Sequence, residues 1–377
     1  MIRRQALKPA LILNLAMTPP DALSDRRAIL VFVDGLGLGE ADPSVNPLRR
    51  GDCPRLLVFL EQHATPLDAG LGVPGLPQSA TGQTALLTGL NAARIEGRHV
   101  EGFPGSRLKN LIRQHNLFRR LLARGQTATF ANAYFTTDLE SVKTSRRQSV
   151  TTVAALSAFG AVRDRAQLEA DEAVYHDLTR TSLLPRGYDG PLIRPHEAAT
   201  HLLGIAKHQT FTLFEYFQTD RAGHRNDPTF TRAVLAELDE FIGTLLDQAT
   251  AAGCLLIVTS DHGNIEDCRT RSHTANPSPS PPLDLTLPRC AQTSVVSPMW
   301  PRPCSIIWMA VSLVPSARIH GRYGASLSKA KDQAQDILHK HQPQTRIDRR
   351  RSSPLHSARA NDGMPSGAFM GQRSKAR

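Results

Sequence analysis

The stretch AILVFVDGLGLG, residues 28–39, decides how this chain is read. Six apolar residues in a row read as a strand buried on both faces. The run ends at an aspartate, Asp34, followed by Gly35, Gly37 and Gly39. That glycine turn resembles a dinucleotide-binding fingerprint, but the third glycine is not at the required spacing. Asp34 also sits where a phosphate would approach. Two later runs repeat the arrangement: FTLFEYFQT (211–219) leads into Asp220, and CLLIVTS (254–260) leads into Asp261. In an open α/β sheet, ligands bind outside the carboxyl ends of the strands. Three carboxylates are therefore expected at one sheet edge.

Strand-like and helix-like segments alternate from residue 28 onward, the pattern of an α/β fold with a mainly parallel sheet flanked by helices. The core is predicted in two parts, residues 26–97 and 205–277. Residues 98–204 are more polar and read as a smaller inserted cap, although the 106–134 helix and strand could belong to the core. After the strand over 210–219 the pattern predicts a long helix near 228–252 and a strand over 254–260.

The net charge of +11 over 377 residues suggests a nucleic-acid binder until it is mapped. From Ser278 to Arg377 there are 15 Lys and Arg against 5 Asp and Glu, which leaves the first 277 residues at about +1. No basic face or groove for DNA or RNA is visible in the body. Five scattered cysteines without a CxxC pair argue for free thiols and a cytoplasmic location. No apolar run approaches the roughly 18–20 residues of a membrane span. The start, MIRRQALKPALILNLAM, imitates a signal peptide but is interrupted by Pro9 and Asn14, and Met17 is expected as the true start.

Three histidines and a serine complete the set of candidate ligands. His224 follows Asp220 by four residues, His262 adjoins Asp261, and His273 lies eleven residues beyond His262. Ser79 stands before the helix-like ALLTGLNAAR among small residues, where backbone N–H groups and the helix dipole favour a phosphate. A serine hydroxyl becomes a useful nucleophile only when a base or a metal stabilises its alkoxide. A divalent ion held by Asp34, Asp261 and His262 could do so, with a second held by Asp220, His224 and His273. Two such ions clamp an in-line displacement, and mixed carboxylate and imidazole ligands suit manganese or zinc. Each residue also has a simpler reading: Ser79 as a helix cap, Thr81 as a rival nucleophile, and Asp220 with His224 as a surface helix pair. Arg146 and Arg147 could grip a substrate phosphate or stand as a solvated charge pair.

Thr259-Ser260-Asp261-His262-Gly263-Asn264, followed by Ser272-His273-Thr274-Ala275-Asn276-Pro277, resembles a signature of the alkaline-phosphatase superfamily. The resemblance is strongest to the branch containing cofactor-independent phosphoglycerate mutase and phosphopentomutase. Asp220-Arg221-Ala222-Gly223-His224 is similar to that branch's D-x-x-x-H metal motif, and Phe32-Val33-Asp34-Gly35 to its opening motif. Ser79-Ala80-Thr81-Gly82 resembles the nucleophile segment, with Gln78 where the mutases have Asn. The resemblance implies two divalent metal ions, a small phosphorylated substrate and transient phosphorylation of Ser79, in a phosphatase or phosphomutase. It covers roughly residues 28–277 and is weak through the cap.

After Pro277 the chain turns rich in Pro, Ser and Arg, as expected of a disordered tail. The resemblance implies instead a further strand and a D-V-[AT]-P-like segment. Single-codon residues allow a test: read out of frame, Met299-Trp300 must give Val, and Trp300-Pro301 must give Ala. With permitted codons elsewhere, Pro298 to Ala310 can read D-V-A-P-A-V-L-D-H-L-D-G. A frameshift near residues 277–298 is the expectation, and with it an alternative in which the product is catalytically impaired or unstable.

Overall fold

Asp34 is positioned by the middle of a four-stranded parallel sheet. The computed structural model describes residues 27–281. Its strands are β1 (Arg27–Val33), β2 (Thr65–Leu67), β3 (Ala128–Phe130), β4 (Phe211–Tyr216), β5 (Cys254–Thr259) and β6 (Ser278–Ser280). The main sheet runs β3-β4-β1-β5, and β2 pairs antiparallel with β6. Its helices are α1 (Pro54–His63), α2 (Ser79–Thr88), α3 (Ala92–Glu96), α4 (Ser106–His115), α5 (Leu117–Leu122) and α6 (Leu139–Thr144). They continue with α7 (Val150–Phe159), α8 (Arg165–Glu169), α9 (Pro195–Ala206), α10 (Gln218–Arg225) and α11 (Pro228–Gln248).

β1 is apolar on both faces because helices cover both. Ile29, Val31 and Val33 point into one core with Leu202 of α9 and Leu238, Phe241 and Leu245 of α11. Ala28, Leu30 and Phe32 point into the other with Leu86 of α2, Ile112 of α4, Phe118 of α5 and Val153 of α7. The fold is therefore a mainly parallel sheet flanked by helices, as the alternation predicts. α11 shows the local logic: Asp227 caps the first turn by accepting from the N–H groups of Thr229 and Phe230, and Pro228 follows at the first position. Buried Val234, Leu235, Leu238, Phe241, Ile242 and Leu245 then repeat at helical spacing along one face.

The register fixes the site. Phe32 lies opposite both Glu215 and Thr259, so β1, β4 and β5 end at one level. The run expected as a strand over 210–219 stops at Tyr216, and α10 begins at Gln218. Asp220 is thus in the first turn of a helix, not at a strand end, and His224 lies one turn further on.

Residues 98–204 supply one strand and several helices to the main sheet, among them the 106–134 helix and strand that the sequence leaves open to the core. β3 hydrogen-bonds to β4 as a strand of the main sheet, and α4, α5 and α7 pack on its face. The apolar spacing Ile112, Leu117, Phe118, Leu121 is what requires that burial. A smaller cluster of Ala133, Leu168, Ala173, Tyr175, Leu183 and Tyr188 forms the rest of the span. The boundary after residue 277 also moves, because Ser278–Ser280 is a buried strand on β2. The proposed start at Met17 and the tail and frameshift, beyond residue 281, lie outside the described residues.

Candidate metal centre

Loops at the carboxyl end of the sheet bring all seven expected residues together. Asp34 follows β1, Ser79 opens α2, Asp220 and His224 lie on α10, and Asp261, His262 and His273 lie on the segment after β5. His262 is the hub. Its Nε2 is 3.0 Å from Ser79 Oγ, 3.2 Å from Asp34 Oδ1 and 3.6 Å from Asp261 Oδ2. Its ring stacks on His273 with centroids 3.7 Å apart. His273 Nε2 is 3.5 Å from Asp220 Oδ1 and 3.2 Å from His224 Nε2, which is itself 3.4 Å from Asp220 Oδ2.

The expected first set, Asp34, Asp261 and His262, converges tightly enough for one ion. The second differs in detail: Asp220 and His273 converge with His262 as well as with His224. The imidazoles are oriented from behind, since His273 Nδ1 lies 3.0 Å from the Pro77 carbonyl and His224 Nδ1 2.7 Å from the Arg271 carbonyl. Such contacts select the tautomer that leaves Nε2 for a metal.

The charge of the cluster is deeply buried. Asp34 Oδ1 and both carboxylate oxygens of Asp261 are buried without a hydrogen-bond partner among the described residues. Burial, and then the Asp34 charge beside it, holds Asp261 well above the usual carboxylate range. Burial works against a charged His262, yet Asp261 and Asp34 outweigh it and push the imidazole up to about 10. Burial also opposes ionisation of Asp220, but a hydrogen bond from His273 and the charge of His262 bring it down to about 2. Clustered carboxylates this deep are costly unless protonated or paired with a cation, and the donor set fits divalent ions.

Ser79 sits at the first position of α2, where first-turn N–H groups have no intrahelical acceptors and Gln78 provides no side-chain cap. Thr81, the rival nucleophile, is fully buried; its Oγ1 donates to the Gln78 carbonyl and accepts from Val100 N–H. Arg146 and Arg147 are exposed.

Three residues escaped the sequence reading. Gln83 donates to Asp34 Oδ2 at 3.1 Å, and Asn264 donates to Asp220 Oδ1 at 2.8 Å, so each aims a carboxylate. Glu266, fully buried, accepts from Gly37 N–H, Asn264 N–H, the Thr274 hydroxyl and Asn276, tying the β1 loop to the His273 segment. A Cβ on Gly37 would lie 2.4 Å from the Glu266 carboxyl carbon, which explains a glycine in the turn that resembled a nucleotide motif. The only available signal for Glu266 was an acidic residue close behind Asp261.

The model of the metalloenzyme superfamily matches residues 26–280, and the chain belongs to that family. Within it, a 2,3-bisphosphoglycerate-independent phosphoglycerate mutase of Cereibacter sphaeroides is 32% identical over 97 residues, 24% of this chain and 19% of the mutase. The corresponding mutase of Natronomonas pharaonis is 36% identical over 72 residues, 18% of this chain and 14% of the mutase. The chain therefore spans less than a fifth of these relatives in matched sequence. Among solved structures, a Pyrococcus horikoshii protein aligns at 14% identity over 68% of this chain and 84% of its own, with a TM-score of 0.42. TAB5 alkaline phosphatase with magnesium bound aligns at 15% identity over 68% and 90%, with a TM-score of 0.40. No helix among the described residues is long and apolar enough to cross a membrane.

Proposed function

We propose that this chain transfers phosphoryl groups from a small phosphate ester through a phosphoserine at Ser79, as a phosphatase or phosphomutase. The observation that carries the reading is the convergence of Ser79 Oγ and the buried Asp34 Oδ1 on one nitrogen, His262 Nε2, at 3.0 and 3.2 Å. A nucleophile and the ligands able to activate it thus share one point.

Two divalent ions, manganese or zinc, would stabilise the Ser79 alkoxide and neutralise the oxygens of the transferred group. Asp34, Asp261 and His262 would hold one, and Asp220, His224 and His273 the other. The first-turn N–H groups of α2 receive the phosphate. Ser79 Oγ attacks phosphorus in line, the ester P–O bond breaks, and the leaving alcohol takes up a proton. Water or a second hydroxyl then removes the phosphoryl group from Ser79. Gln83 and Asn264 keep Asp34 and Asp220 aimed throughout. Free thiols at Cys53, Cys254 and Cys268 support a reducing, cytoplasmic setting.

The test is turnover of p-nitrophenyl phosphate by the manganese- or zinc-loaded chain. Ser79→Ala is expected to lower kcat by a factor on the order of 10³ or more, and incubation with substrate should phosphorylate the wild type at Ser79. A phosphorylated Thr81, or full activity in Ser79→Ala, would overturn the assignment.

A further inference from the structure

Beside the metal cluster, a row of side chains offers donors without an anion to receive them. Arg221 follows Asp220 on α10, and its Nη1 donates to Gln218 Oε1 at 3.0 Å. With its oxygen turned to the guanidinium, the Gln218 amide presents Nε2 to His176 Nδ1 at 2.6 Å. His176 Nδ1 therefore accepts, and the ring proton belongs on Nε2. The His176 ring is fixed between Tyr175 and Phe217, at centroid separations of 4.1 and 4.4 Å. On the far side, Arg186 Nη1 donates to the Tyr175 hydroxyl at 2.8 Å and Nη2 to the Phe135 carbonyl at 3.1 Å.

Among the described residues, no carboxylate lies within ion-pair distance of Arg186 or Arg221, and both are exposed. Asp177, the nearby acid, already accepts from the backbone N–H groups of Thr179, Arg180 and Ser182. Burial, with Arg221 and Arg186 adding to it against Asp177, brings His176 down to about 4, so the ring is a neutral N–H donor at physiological pH. Arg221, through Gln218, and Arg186, through Tyr175, thus flank the His176 ring, and guanidiniums with N–H groups to spare beside an imidazole N–H suit a carboxylate or phosphate.

We propose that His176, Arg186 and Arg221 form an anion subsite next to the metal centre, which selects phosphate esters carrying a second acidic group. The inference rests on the phosphoryl-transfer reading and narrows its substrate class. Binding can be measured without turnover, because phosphonates cannot donate a phosphoryl group. The manganese-loaded full chain would be titrated calorimetrically with ethylphosphonate, 3-phosphonopropionate and propane-1,3-diphosphonate. At least one two-acid ligand should bind about tenfold or more tighter than ethylphosphonate, about 1.4 kcal/mol. The tighter of the two tells carboxylate from phosphate as the second group. That preference should fall about tenfold in Arg221→Gln and also in Arg186→Gln, two variants on separate elements. Equal binding of one-acid and two-acid ligands, or a preference unchanged in both variants, overturns the subsite. So does a preference lost instead in the Arg146→Gln/Arg147→Gln double variant. Failure of every phosphonate to bind would instead overturn the phosphate-ester reading itself.

Discussion

Asp34, Asp261 and His262 are between 0 and 7% exposed, whereas the His224 side chain across the cluster keeps 48% of its surface. One half of the candidate centre is sealed beneath α2, and the other opens to solvent on α10. The sealed half bears the electrostatic cost, because neither Asp261 oxygen has a hydrogen-bond partner among the described residues and Asp34 has only Gln83 and His262 beside it. A cation therefore gains most there, while the open half is where a substrate can arrive.

The two halves should differ most at single ligands. Asp261→Asn should weaken metal binding by a factor on the order of 10³, since breaking a buried charge interaction costs about 3–5 kcal/mol. His224→Ala, at the exposed position, should cost only about tenfold, about 1.4 kcal/mol. Chelator-competition titrations of the two variants measure both. Asp261→Asn carries a second expectation of opposite sign: the metal-free variant should resist urea better than the metal-free wild type, because a buried repulsion has gone. Equal metal losses in the two variants would erase the distinction between the halves.

Two glycines sharpen the contrast at smaller scale. A Cβ at Gly82 would lie 2.8 Å from Asp261 Cβ and 2.9 Å from its carbonyl oxygen. Backbone on both sides has to move, so Gly82→Ala should cost roughly 1–3 kcal/mol of stability. At Gly223 the added methyl meets the tip of the Asn264 side chain, 2.3 Å from Oδ1. A side chain can swing, so Gly223→Ala should cost less stability, while Asp220 loses the donor that aims it. Thermal melts and KM for p-nitrophenyl phosphate separate the two: Gly82→Ala should show chiefly in melting temperature, and Gly223→Ala chiefly in catalysis. The reverse pattern would mean that α10, not α2, carries the rigid half.

What could be read from the chain follows from the range of the physics involved. β1, β4 and β5 announce themselves because burial on both faces demands unbroken apolar runs, and the ligands because metal chemistry admits few residue types. The start of α10 was hidden, since FTLFEYFQT continues past Tyr216 with no turn residue to stop the strand. The core role of β3 stays one of two options for 106–134, because three residues are too few to show a period. Glu266 and the pairing of His176 with Gln218 depend on contacts between segments distant in sequence, which no spacing encodes.

The smallest expected effect concerns protons, and here the two halves should differ in slope. His262 in the metal-free chain stays protonated until about pH 10, held by Asp261 and Asp34 against the cost of burial. An ion using Nε2 must displace that proton, so affinity at the sealed half should rise about tenfold per pH unit from pH 6.5 to 8.5. Asp220, lowered to about 2, is already ionised across that range and gives no such slope. Folding of the metal-free chain runs the other way. A raised histidine stabilises the fold fully below its unfolded value near 6.5, and that stabilisation is lost as pH climbs toward 10. The metal-free protein should therefore melt lower at pH 8.5 than at pH 6.5, while the stabilisation conferred by metal grows over the same interval. Melts with and without zinc at the two pH values read both slopes. A metal-induced shift that stays constant with pH would mean that metal binding displaces no proton over this range, and so not one from His262.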